Sequence, residues 1–185
     1  MHRTHFRASA LVLLLTLAAA CRPATAPAPN PPPQPAAPAF RLSNAAPSID
    51  ALVDEFLTAL AAQDWNALEG LRVTESEYRE FILPGSVAPG VAPKNYPATP
   101  SQYYWNTMNT KSLYSLRSLL ASHGGRHYQR TAIAYAKGTQ EYAWYRAYKK
   151  LRLTLADEQG QEVELTTGSI AEVNGQYKFV SFVLG

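Results

Sequence analysis

The sequence predicts an α+β fold in which N-terminal helices pack on a curved antiparallel sheet of about four strands. Helix caps crowd the first half of the chain, the hydrophobic period changes from helical to two near His127, and glycine-bearing turns punctuate the rest. Ser48 is placed to cap a helix in which Ile49, Leu52, Val53, Phe56, Leu57 and Leu60 recur at helical spacing, with Asp50, Asp54 and Glu55 near its positive end. Asp64 caps a short turn through Trp65, Leu68 and Leu71. Thr74-Glu-Ser-Glu77 has the form of a capping box, opening a helix with Tyr78, Phe81 and Ile82 that Pro84-Gly85 ends. A loop with five prolines between residues 84 and 100 follows.

Ser101 opens the longest helix, with Trp105, Met108, Ser112, Leu116 and Leu119 on one stripe and His123-Gly124-Gly125 as its stop. Strands are predicted over residues 127–136, 141–156, 161–173 and 176–184. Asp157–Gly160 turns the second into the third, and Asn174-Gly175 joins the last two. Simple alternation along 141–156 puts Tyr142, Trp144, Arg146, Tyr148, Lys150 and Arg152 on one face. It puts Tyr145, Ala147, Leu151, Leu153 and Leu155 on the other. The leucine face should meet the helices, leaving the Trp/Arg/Tyr face outside unless a bulge intervenes. Tyr142, Trp144, Arg146 and Tyr148 are therefore the candidate interface residues, for a second copy or an envelope protein, since Trp, Tyr and Arg dominate protein interfaces.

The chain carries 17 Lys and Arg against 14 Asp and Glu. Arg3, Arg7 and Arg22 precede residue 41 and no acid does, so bases and acids balance from there on. Nucleic-acid binding loses its compositional support. Eight acids lie between Asp50 and Glu80, and seven bases between Arg126 and Arg152, giving the domain a surface dipole.

Residues 1–20 have a positive start, an apolar run too short for a good span, and small residues at its end, as in a cleaved export signal. Leu17-Ala-Ala-Ala-Cys21 resembles the bacterial lipobox. The resemblance implies cleavage before Cys21 and a diacylglyceryl anchor on it, in the bacterial cell envelope at the periplasmic face of the outer membrane. Cys21 is the only cysteine, so acylation leaves none for a disulfide, thiol catalysis or thiolate metal binding. Several acyl chains, at about 0.8 kcal/mol per buried CH₂, anchor far more firmly than one. Residues 21–40 form the anchor and a tether. Eight prolines between residues 22 and 39 favour extended spacing of about 3.1 Å per residue. A single domain is expected over 41–185.

The stretches ALVDEFLTALAAQDWNALEGL, EYAWYRAYKKLRLTL and GSIAEVNGQYKFVSFV resemble the nuclear transport factor 2-like superfamily, the cone-shaped, cystatin-like fold shared with ketosteroid isomerase. The resemblance implies a pocket between sheet and helices, used for ligands in some members and for catalysis in others. A small apolar ligand would then meet Tyr78, Tyr104, Trp105 and Tyr145. Isomerase-like members need a carboxylate base and oxyanion donors, a set that does not map here. Glu75, Glu77 and Glu80 read as solvated carboxylates at a helix start, and Glu141 as a strand-edge residue.

His123 and His127 are separated by a helix-breaking Gly pair and have no second pair of ligands nearby, so no metal is expected. Ser86, Ser101 and Ser169 lack a nucleophile-elbow context, and no phosphate-cradling glycine loop is present. No catalytic residue and no cofactor is assigned. A non-catalytic small-molecule or protein binding domain is the first reading. An isomerase, dehydratase or hydrolase of the same fold, and a structural or assembly component of an envelope complex, are the alternatives.

Overall fold

The computed structural model describes residues 39–183, which lie within the compact unit Pro32–Gly185. Cys21, the leader over 1–20 and the tether up to residue 38 lie outside the described residues. So do Leu184 and Gly185.

Local hydrogen bonds start each helix. Ser48 is extended and its side chain accepts from the Ala51 amide, opening α1, Ile49–Ala61. Leu52, Val53, Phe56, Ala59 and Leu60 form its buried stripe. Asp64 caps α2, Trp65–Gly70, by accepting from the Ala67 amide at 2.9 Å. The complete Thr74/Glu77 capping box opens α3, Glu75–Glu77. That segment runs on through a π-helical turn, Tyr78–Ile82, into α4, Leu83–Gly85. The long helix α5, Ala98–His123, begins three residues before the expected Ser101. Pro100 is tolerated because first-turn amides have no intrahelical acceptor.

Among the described residues, seven antiparallel strands make two sheets. β1 (Gln129–Tyr135), β4 (Leu151–Ala156) and β5 (Glu162–Thr166) form one in the order β1-β4-β5. β2 (Thr139–Glu141), β3 (Arg146–Tyr148), β6 (Ile170–Val173) and β7 (Gln176–Phe179) form the other in the order β2-β3-β6-β7. The α+β class is as the sequence predicts, but the strand expected over 141–156 is broken twice.

The first break is a hairpin turn. Glu141 ends β2 opposite Arg146, and the Tyr142 amide donates to the Tyr145 carbonyl at 2.8 Å. The Ala143 amide reaches the Val87 carbonyl, which holds this turn against the chain after α4. The second break is at Lys149–Lys150, where Lys150 has φ 59°. Backbone bonds continue across it, from the Ala136 amide to the Lys150 carbonyl and from the Lys149 amide to the Gly138 carbonyl, both at 2.9 Å. Residues 136–138 face only residues 149–150 across this break, and the alternation inverts. Tyr148 therefore shares a cluster with Leu151, Leu153 and Leu155, whereas Tyr145 and Ala147 belong to another.

The interior consists of two hydrophobic clusters. The first joins α1, Leu68, Leu116 and Leu119 to the β4 leucines, Leu165, Ile170, Phe179 and Phe182. Phe56, Phe179 and Phe182 are mutual ring neighbours at 5.0–5.9 Å. The second joins Leu42, Val73, Phe81 and Ile82 to Tyr145, Ala147, Ala171 and Val173. Ile170 and Ala171 enter different clusters, so each face of the four-stranded sheet contributes to the interior. Its β7 edge is paired as well. Tyr177 exchanges two backbone bonds with Ala46, and Phe179 bonds to Leu71 and Val73 at 2.8–2.9 Å. An edge satisfied in this way offers no row of free amides to a neighbouring chain.

Candidate functional site

The four residues expected to meet a ligand do not surround one cavity. Trp105, 7% exposed, packs on Tyr78 with ring centroids 5.7 Å apart. Burial, with Tyr96 and Tyr104 nearby, pushes the Tyr78 phenol up. Tyr104 is exposed and meets Tyr96 and Tyr103 edge-on at 5.7 and 6.0 Å. Tyr145, 8% exposed, stacks on Tyr142 at 4.8 Å and shares a 2.7 Å hydrogen bond with Ser86 Oγ. Its burial raises the phenol far above the ordinary tyrosine value. The Tyr78, Trp105 and Tyr145 rings fill space between elements, and Tyr104 lies on the surface.

The hairpin turn splits the four candidate interface residues. Tyr142 and Trp144 pack against the second cluster, with Trp144 5.3 Å from Phe81 and pressed on Gly85. A Cβ at Gly85 would come within 2.9 Å of Trp144 Cβ, so only glycine allows this close approach. Arg146 and Tyr148 lie on β3 and point to the opposite side.

There, pairing sets a row of Glu141, Arg146, Glu172 and Tyr177 across β2, β3, β6 and β7. Arg146 pairs with Glu141 and reaches Glu172 at 3.4 Å. The Tyr148 hydroxyl donates to Glu172 Oε2 at 2.6 Å. Tyr135 and Tyr177 flank Tyr148 at 5.0 and 6.4 Å. Burial first raises the phenols of Tyr135, Tyr148 and Tyr177, followed by neighbouring charge at Tyr135 and Tyr177 and by the hydrogen bond to Glu172 at Tyr148. Tyr148, Glu141 and Glu172 hold Arg146 in its charged form. The patch is thus a set of fixed donors and acceptors on aromatic surface, suited to recognition. A general acid or base needs a value near the working pH, and these shifts run the other way.

Sequence reasoning missed Tyr135, Glu172 and Tyr177. The Asn174-Gly175 turn carried a signal for two of them, because a two-residue hairpin sets Glu172 opposite Tyr177.

Glu77 is not a solvated carboxylate. It is 4% exposed and Lys178 is 1% exposed, with their charged atoms 2.9 Å apart. The Glu77 carboxylate also accepts from the Thr74 amide at 2.7 Å, the Ser43 amide at 2.6 Å and the Ser43 hydroxyl at 2.8 Å. Burial alone would raise its pKa. The donors outweigh burial and hold the carboxyl below its ordinary value. Glu75 fits the expected solvated character better, pairing with Arg79 at 2.8 Å on the surface.

His123 turns its Nδ1 to the Tyr128 hydroxyl at 2.9 Å, and burial followed by Arg126 lowers its pKa. Among the described residues, no group of three or more His, Cys, Asp or Glu could hold a metal ion. No described helix is long and apolar enough to cross a membrane. No family model, curated protein or solved structure matches the chain.

Proposed function

We propose that this chain is an exported lipoprotein, fixed through Cys21 to the periplasmic face of the bacterial outer membrane. It presents a non-catalytic domain of the nuclear transport factor 2-like type that binds a protein partner. The partner surface is the Arg146 and Tyr148 patch with Glu141, Glu172, Tyr135 and Tyr177. One observation carries this reading. Three of the four expected ligand residues, Tyr78, Trp105 and Tyr145, are spent on packing, whereas Arg146 remains exposed amid half-buried tyrosines. Aromatic rings beside a fixed Arg/Glu lattice are the composition of an interface hot spot. Helices followed by bent antiparallel strands support the cone.

Two outcomes test the reading. Replacing Cys21 by Ser should move the full-length protein from the membrane fraction to the soluble fraction. Unchanged retention would overturn the lipid anchor. A photo-cross-linking residue at Tyr148 in the full-length protein should give a discrete adduct in the envelope, and one at Gln159 should not. Arg146→Ala should weaken that adduct about 10-fold or more. Equal labelling from both positions, or no adduct from Tyr148, would remove the partner surface.

A further inference from the structure

A cleft of about 370 Å³ lies beside the segment after α2, lined among others by Ser43, Arg72, Thr74, Trp105 and Lys178. We propose that it binds a compact monocarboxylate, with Arg72 as the anion-binding residue.

Arg72 is held rigidly by its backbone, because it lies opposite Phe179 on the β7 edge and the flanking Val73 amide donates to the Phe179 carbonyl. Its side chain is 4% exposed. Nη2 donates to Asn109 Oδ1 at 2.7 Å and stands 3.5 Å from Glu69. Nε and Nη1 are buried and have no hydrogen-bond partner. A buried donor left unmade costs about 1–3 kcal/mol, and more when charged. Such a group in a native interior calls for an occupant. The indole of Trp105 covers the guanidinium at 5.5 Å but accepts no hydrogen bond in its plane.

The two unmade Arg72 donors call for an acceptor. Lys178, which also lines the cleft, is already matched by Glu77, and no second carboxylate lies in hydrogen-bond contact with the free Arg72 nitrogens. Burial lowers the Arg72 pKa and Glu69 partly opposes this. Carboxylate is the anion whose geometry a guanidinium matches best. Glu69 and Glu75 on the lining restrict the ligand to a single negative charge. Both free nitrogens are sealed at rest, so entry requires a covering side chain to shift.

Propionate is the probe, added to the full chain in detergent. The thermal midpoint should rise saturably, following mass-action linkage. Chloride at matched ionic strength and neutral propionamide should give no rise. Succinate should bind about 10-fold more weakly or worse. Asn109→Asp supplies Arg72 with an internal carboxylate, so it should raise the midpoint on its own and weaken propionate binding at least about 10-fold. This variant keeps the test valid even where Arg72→Met fails to fold. No rise with propionate up to about 50 mM, an equal rise with chloride, or full retention in Asn109→Asp would overturn the site.

Discussion

Lys178→Met should destabilise the domain by about 3–5 kcal/mol, read as a lower urea midpoint. Methionine replaces the aliphatic stem well enough, so the loss is electrostatic. It leaves the Glu77 carboxylate buried with only the Ser43 and Thr74 donors. Glu77→Gln with Lys178→Met should recover much of the loss, because Gln at this capping-box position still accepts from the Thr74 amide. A double variant no more stable than Lys178→Met would show that lost packing, not the unpaired charge, is responsible. The pH dependence has a definite sign. The folded carboxyl sits below its ordinary value, so its contribution is complete above the unfolded value and is lost as pH falls through the lowered one. Acid titration of the wild type should show this loss, and Glu77→Gln should flatten it.

Gly168→Ala should be similarly damaging. An added Cβ would stand 1.7 Å from the Ser181 carbonyl oxygen and 2.5 Å from its carbon. Both are backbone atoms that no rotamer change can move aside. The segment after β7 would have to lift, and Phe182 would leave Phe56 and Phe179 and give up the bond from its amide to Ser112 Oγ. The expected cost is about that of truncating a core Phe, 3–5 kcal/mol, measured by calorimetric melting. Gly70→Ala, with nothing within 4 Å of the new carbon, is the control and should change stability by less than about 1 kcal/mol. Equal effects of the two substitutions would contradict this account of the C-terminal segment.

The helices were readable because their signals are local. Ser48, Asp64 and the Thr74/Glu77 pair each satisfy an amide three residues away, within the span a sequence motif can express. The glycine turns at Gly160 and Gly175 were readable because both positions need positive φ, at 74° and 75°. The face of Tyr148 was not readable. Alternation is an argument about phase, and the left-handed Lys150 reverses phase without a glycine or proline of its own to announce it. The burial of Glu77 was hidden for a different reason, since its partner Lys178 is 101 residues away. Of the candidate site, Arg146 and Tyr148 came from composition on one strand. Glu172 and Tyr177 join them only through pairing that a single strand cannot reveal.

The reversal at Lys149–Lys150 also decides how the domain comes apart. β3 and β4 are neighbouring segments of one run of chain, yet Ala147 serves one cluster and Leu151 the other, and β6 serves both through Ile170 and Ala171. Melting either cluster removes strands on which the other rests. The strap at Ala46, α1, the long helix and all seven strands therefore stand or fall as one cooperative unit. A pull applied at Ala39 is borne by the entire domain, not by a detachable first layer.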